Sequence, residues 1–202
     1  SYLVGSISGG IIVGKFKNID IRNLGSKSAG GTNALRTMGI ISALIVVLID
    51  IYKGYFAAYY IPNLYISNSE NINQIKIFAS FASIFGHVYP VFFKFKGGKG
   101  VGTAFGCLLA MFPISYAFIS FGVWFFILII SGYVGLSSIF AGISIYITHN
   151  FIQYNINDFS LQIFTILIGL FFIFTHRENI KRMIKKEENQ FKKIMIFNFF
   201  KK

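Results

Sequence analysis

Long apolar stretches alternate with short polar segments along the chain, and the stretches are too long for strands. Residues 2–16 form a short, Gly-rich apolar run. Residues 38–61 make a full-length apolar stretch that carries Asp50 and Lys53, and residues 75–93 make another that contains His87 and Pro90. A block at 101–148 and a last stretch at 160–175 complete the pattern. Between Lys99 and Asp158 lie 58 residues without Asp, Glu, Lys or Arg, whereas one bilayer crossing takes about 20 apolar residues. The pattern predicts an all-α polytopic membrane protein.

Charge then orients the spans. Residues 15–36 hold five bases (Lys15, Lys17, Arg22, Lys27, Arg36) and one acid, Asp20. Residues 94–99 hold three bases, and residues 177–202 hold nine bases with three acids. By contrast, residues 62–74 carry only Glu70 and residues 150–159 only Asp158. The positive-inside rule places the three basic segments in the cytoplasm and the other two outside. An even number of crossings must then separate residues 94–99 from the tail. The last stretch supplies one, so the block at 101–148 supplies an odd number. As one helix it would be ~72 Å long against a hydrocarbon core of ~30 Å, so three short helices are expected. Their breaks fall near Pro113 to Ser115 and Gly132 to Gly135. The expectation is seven short transmembrane helices, N-terminus outside and C-terminus cytoplasmic. Residues 1–180 form a single integral-membrane domain, and residues 181–202 form a basic tail on anionic lipid.

Composition agrees. Hydrophobic residues make up 54% of the 202 and charged residues 13%, about half the soluble average. The net charge of +12 sits in loops between apolar spans, which argues for membrane lipid and against nucleic acid. The lone cysteine, Cys107, lies in an apolar run and reads as a small packing residue. The first apolar run lacks a basic leader and reads as a retained span, not a cleaved signal.

Three polar segments carry candidate chemistry. The first runs Gly25-Ser26-Lys27-Ser28-Ala29-Gly30-Gly31-Thr32-Asn33, with Arg36 three positions on. Small residues let backbone N–H groups approach a ligand, and Arg36 is a permanent planar cation suited to phosphate. A flexible connector with a topology charge is the alternative. The second runs Lys94-Phe95-Lys96-Gly97-Gly98-Lys99-Gly100-Val101-Gly102-Thr103 and precedes an apolar helix, whose positive end suits an anion. It is neither a Walker A loop nor a dinucleotide fingerprint. The third is Thr175-His176-Arg177-Glu178-Asn179, in which His176 and Asn179 share a helix face and offer a proton acceptor and an amide. An interfacial histidine is its alternative. Asp50 and Lys53, i and i+3, either neutralise each other or line a polar cavity. His87 either bonds a kinked backbone or faces the site. His149 reads as structural, as does Glu178, paired with a nearby base.

Together these segments resemble the bacterial acyl-phosphate:glycerol-3-phosphate acyltransferase family (PlsY), from about Tyr2 to Glu188. The family's first motif is matched at Ser26, Gly30, Thr32, Asn33 and Arg36. Its second is matched at His87, Pro90, Val91, Phe92 and Lys94 to Lys99, and its third at His176 to Ile180. Departures are Lys27 for Gly, Ser28 for Asn, Gly31 for Ala, Ser8 for a Pro in the first helix, and the absence of the family's glycine near the tail acids around Lys186 to Glu188. The resemblance implies transfer of a fatty acyl group from acyl phosphate to the sn-1 hydroxyl of glycerol 3-phosphate. The products are lysophosphatidic acid and phosphate, in phospholipid synthesis at the bacterial inner membrane, without metal or cofactor. Under it, Lys99, the Gly97 to Gly100 backbone and Arg36 bind glycerol 3-phosphate. Ser26, Thr32 and Asn33 hold the acyl-phosphate head, with Lys94, Lys96, Gly30 and His87 also lining the substrates. His176, oriented by Asn179, is the candidate general base, and Ser26 joins them in the catalytic group. A transporter or binding protein for an organic phosphate is the competing class.

Overall fold

Every apolar stretch is helical in the computed structural model, which describes residues 1–65, 72–152, 158–192 and 195–196. No strand occurs among the described residues. Glu70 and tail residues 193–194 and 197–202 lie outside them, so the charge readings made on those positions do too. The chain divides into two compact units, Ser1–Phe112 and Pro113–Lys202.

The first unit opens with a broken segment, α1 (Tyr2–Gly5) and α2 (Gly9–Phe16), interrupted at Ser6 to Ser8. A polar turn at residues 17–30 leads to α3 (Gly31–Met38), then to the 26-residue α4 (Ile40–Tyr65), α5 (Ile72–Val88) and α6 (Val101–Met111). Glycine lets these helices approach closely. A Cβ at Gly54 or Gly106 would run into the facing backbone of α6 or α4, and one at Gly5 into Ser83 of α5. Small-residue contacts of this kind hold helices together in lipid, where apolar burial supplies no drive. Many large apolar side chains accordingly point outward, Ile40, Ile41, Leu44 and Leu48 among them, while Ser42, Ser80, Ser83 and Thr103 are buried.

The second unit contains α7 (Ile114–Ser131), α8 (Val134–Ile152), α9 (Phe159–Thr175) and α10 (Arg177–Ile184). The breaks within the 101–148 block fall where the sequence places them. Pro113 caps the start of α7, and Gly132 ends it in the left-handed region at φ 70°, a conformation that suits glycine. Asp158 caps α9, its Oδ1 accepting from the Ser160 N–H at 3.0 Å. Phe118, Phe121, Phe125 and Phe126 of α7 are exposed, as a lipid-facing helix requires. Along α8, by contrast, Gly135, Ser137, Ser138, Gly142 and Ser144 are buried.

Four helical stretches (Ile40–Leu64, Ile72–Phe93, Ile114–Ser131 and Val134–Ile152) are long and apolar enough to cross a membrane. A fifth is the α9–α10 pair, bent by 53°. The broken first segment and the 11-residue α6 are also apolar but short; α6 is ~16 Å long against a core of ~30 Å. The expected seven apolar segments are all present as helices, therefore, but they are unequal in reach. The expected boundary at residue 180 falls inside α10, and the chain beyond that helix turns back onto the second unit, where the Phe191 N–H donates to the Gly132 carbonyl at 2.9 Å.

Candidate active site

In the first unit, the turn at residues 17–30 is built around one side chain. Asn33, in the first turn of α3, is 1% exposed. Its Oδ1 accepts the Ser26 N–H at 2.9 Å, and its Nδ2 lies 3.0 Å from the carbonyls of Ile21, Leu24 and Ser28. The expectation that Asn33 contacts phosphate directly gives way to a structural role, because two amide protons facing three carbonyls have none left over. Lys27 stands in the left-handed region at φ 59°, where a β-carbon is strained, so the departure from glycine here falls on a position that favours glycine. Gly31, which stands where alanine was expected, faces Val47, whose side chain fills the space a Cβ would need.

The bases of this turn divide into tied and outward-facing groups. Lys17 Nζ donates to the Met38 carbonyl at 3.0 Å, at the C-terminus of α3. Arg22 forms a bidentate pair with Asp20 at 2.9 and 2.8 Å and donates to the Phe93 carbonyl at 3.0 Å. Hydrogen bonding from Arg22 holds the Asp20 carboxyl below the usual carboxylate range. Arg36 and Ser26 are half-buried beside the turn, as are Thr32 and Gly30.

The second polar segment lies against the first. The Ala29 N–H donates to the Gly97 carbonyl at 3.2 Å. Pro90 opens a tight reversal in which Lys94 and Phe95 are both left-handed at φ 58°, and the Phe93 and Phe95 N–H groups donate to the Pro90 carbonyl at 3.1 and 3.0 Å. Gly97 and Gly98 then fold onto the end of α5, donating to the Val88 carbonyl at 3.2 Å and to the His87 carbonyl at 3.1 Å. Their N–H groups hold the loop, which corrects the expectation that they face an anion. Three residues beyond Gly98 the first turn of α6 begins. There Val101, Gly102 and Thr103 have no carbonyl four residues back within the helix, and the helix dipole is positive. Lys99 is half-buried beside this turn, whereas Lys94 and Lys96 are exposed.

Beneath the loop lies a buried polar cluster. Lys53 Nζ is 2.8 Å from Asp50 Oδ1, 2.9 Å from His87 Nδ1 and 2.7 Å from the Ile7 carbonyl. Asp50 and Lys53 do pair, as their spacing allows, and His87 joins them.

The third segment belongs to the second unit. His176 is the hinge between α9 and α10 and is 2% exposed. Its Nδ1 donates to the Phe172 carbonyl at 2.9 Å, so the neutral ring carries its lone pair on Nε2. Asn179 is buried against Gly135 of α8 and donates to Glu188 Oε1 at 3.0 Å. Glu188 Oε2 takes the Arg182 Nε–H at 2.6 Å. Glu188, an acid in a basic tail, carries no site role in the sequence expectations. The signal that could have marked it is the missing family glycine around Lys186 to Glu188, since Lys186 stands in the left-handed region at φ 59°. Glu178 pairs with Lys181 at 3.1 Å on the exposed face, as expected. His149 meets Tyr116 Oη at 3.2 Å, away from these segments in sequence and in its own unit. Among the described residues no three His, Cys, Asp or Glu side chains come together to hold a metal ion.

Comparison with known proteins gives a consistent answer. A family model described as glycerol-3-phosphate acyltransferase matches residues 1–186. A glycerol-3-phosphate acyltransferase of Aquifex aeolicus is 41% identical over 192 residues, covering 95% of each chain. One from Chlorobium phaeovibrioides is 38% identical, covering 94% of this chain and 93% of its own. The fold is similar to crystal structures of PlsY, an integral membrane glycerol 3-phosphate acyltransferase. For its glycerol 3-phosphate form the TM-score is 0.84, with 38% identity over 94% of this chain and 91% of that one. For its lysophosphatidic acid form the TM-score is 0.82, with 37% identity and the same coverage.

Proposed function

This chain belongs to the glycerol-3-phosphate acyltransferase family, and on that premise we propose that it transfers a fatty acyl group from acyl phosphate to the sn-1 hydroxyl of glycerol 3-phosphate. The observation that carries the reading is the Ala29–Gly97 backbone bond. It joins two loops of small and basic residues in front of the first turn of α6, which makes one anion-receiving surface from segments 68 residues apart in the chain. The likeness to PlsY in its glycerol 3-phosphate and lysophosphatidic acid forms supports the choice of acceptor and product.

In this reading the first-turn N–H groups of α6, Lys99 and Arg36 hold the phosphate of glycerol 3-phosphate. Ser26 and Thr32 serve the acyl-phosphate head within a loop that Asn33 shapes. Nε2 of His176 takes the hydroxyl proton as the oxygen attacks the acyl carbonyl carbon. The carbon–oxygen bond to phosphate then breaks, and phosphate leaves with the electron pair. Asn179 orients the acceptor end of the reaction. Phosphate is already a good leaving group, so these residues need to supply positioning, charge neutralisation and one proton acceptor. The enzyme works at the cytoplasmic face of the bacterial inner membrane, where the three basic segments lie by the positive-inside rule.

The test is phosphate release by the purified protein from palmitoyl phosphate, with and without glycerol 3-phosphate. Release that requires glycerol 3-phosphate and matches lysophosphatidic acid formed is the expected result. Folded protein that binds both compounds without releasing phosphate would overturn the reading. Within it, His176→Ala lowers turnover by about 10²–10⁴, and near-native turnover removes the base assignment.

A further inference from the structure

Lys53 and Asp50 have no part in the mechanism above, yet they are 4% and 3% exposed in the middle of a membrane helix. A charged pair at such depth is costly to maintain, and its surroundings say what it does. The Lys53 ammonium donates to the Ile7 carbonyl at 2.7 Å, lies 2.9 Å from His87 Nδ1 and forms an ion pair with Asp50 Oδ1 at 2.8 Å. Asp50 Oδ1 also lies 3.3 Å from His87 Nδ1, but beside a charged ammonium at 2.9 Å an Nδ1–H would set proton against proton, so Nδ1 presents its lone pair. The ring proton of neutral His87 therefore sits on Nε2. That end of the ring meets Gly98, where a Cβ would collide with Nε2. The His87 carbonyl meanwhile accepts the Gly98 N–H at 3.1 Å. The loop that leads into Lys99 and α6 is thus wrapped around the proton-bearing end of the ring.

We propose that Lys53, held by Asp50, is a positioning residue for glycerol 3-phosphate: it locks His87 in the Nε2–H form beneath the Gly97–Gly98 turn and ties that turn to the break in the first helical segment through the Ile7 carbonyl. The phosphate loop then rests on a donor, where a lone pair would repel an incoming anion, and on a fixed ring that sets the height of Lys99 and the α6 first turn. This rests on the acyltransferase reading only for the substrate concerned; the tautomer lock stands apart from it.

Two measurements separate the claims. Nitrogen-15 histidine NMR of the detergent-solubilised protein, assigned with His87→Gln, reports the tautomer without any turnover. The expected result is an Nε2–H ring in the parent protein that becomes a tautomer mixture in Lys53→Met; an Nδ1–H ring in the parent overturns the lock. In the phosphate-release assay, Lys53→Met raises the KM for glycerol 3-phosphate by about tenfold or more, the scale of one lost charge-assisted hydrogen bond, while the acyl-phosphate KM stays within about twofold. Equal changes in both KM values, or a loss confined to kcat, overturn the positioning role. Lys53→Met strands the Asp50 carboxylate, so Asp50→Asn with Lys53→Met removes both charges together and is read in the same way. His87→Gln, whose amide reaches the Nε2 position, retains more glycerol 3-phosphate affinity than His87→Asn, which reaches only Nδ1; the reverse order contradicts the proposal. If the parent protein turns over neither substrate, the acyltransferase reading fails, and the NMR result still decides the lock.

Discussion

Adding one methyl group at Gly98 tests the link between His87 and the phosphate loop. A Cβ built there runs into His87 Nε2 and lies 2.9 Å from Cε1 and 3.1 Å from Cδ2, well inside ordinary carbon contact distance. The ring cannot retreat easily, since its other nitrogen is held 2.9 Å from Lys53 Nζ. Nor can the loop, whose Gly97 and Gly98 N–H groups are bonded to α5 carbonyls at 3.2 and 3.1 Å. Overpacking of a confined site costs about 1–3 kcal/mol, equivalent to about 5- to 150-fold in the population of the native loop. Gly98→Ala is therefore expected to lower the unfolding temperature in detergent and to raise the KM for glycerol 3-phosphate, leaving the acyl-phosphate KM nearly unchanged. Gly97→Ala should be worse, because its Cβ meets the His87 carbonyl, Pro90 Cδ at 2.7 Å and the Val88 carbonyl at 2.9 Å, all backbone or ring atoms that cannot rotate away. Placing Gly98→Ala in a His87→Ala background should recover most of the lost stability, since the colliding ring is gone. Gly98→Ala with parental unfolding temperature and parental KM would refute the reasoning.

Gly30→Ala leaves the unfolding temperature unchanged, because the backbone there is extended at φ −105° and a Cβ meets nothing nearer than Ser28 Oγ at 3.8 Å; a raised substrate KM in this variant then reports a ligand against that backbone, and destabilisation would contradict the geometry. Lys27→Gly relieves a left-handed residue at φ 59° and stabilises the protein by about 1 kcal/mol, measured as a higher unfolding temperature; a lower one would show that the lysine side chain holds the turn. Glu188→Ala lowers kcat by about tenfold with both KM values little changed, as Asn179 loses its partner at 3.0 Å. Glu188→Gln, which keeps an acceptor for Asn179, recovers part of that loss, and equal loss in both variants would argue that the Arg182 pair at 2.6 Å matters more.

Some features were legible in the sequence because their causes are local. Apolar runs and the Pro113 and Gly132 breaks in the 101–148 block each depend on a few consecutive residues. The polar segments also stood out, since charge is rare in the apolar stretches between them. The i, i+3 spacing of Asp50 and Lys53 allowed the pair that forms at 2.8 Å. What could not be read was which polar atom meets which. Asn33 has the right chemistry for a phosphate, and equally for three carbonyls 3.0 Å away. Nothing about residue type separates the two.

By itself, then, the sequence determined the helical class, the two breaks within the 101–148 block and the residue types available for phosphate and proton chemistry. Hydropathy and helix-breaking Pro and Gly act over one or two turns and are written in adjacent residues. The tertiary structure alone decided that the Gly97 and Gly98 N–H groups hold a loop, that His87 completes the Asp50–Lys53 pair, and that Glu188 reaches Asn179. Each of these joins residues separated by a turn or by whole helices. Their partners are selected by how closely glycine-lined helices approach and by the need of every buried polar atom for a nearby match.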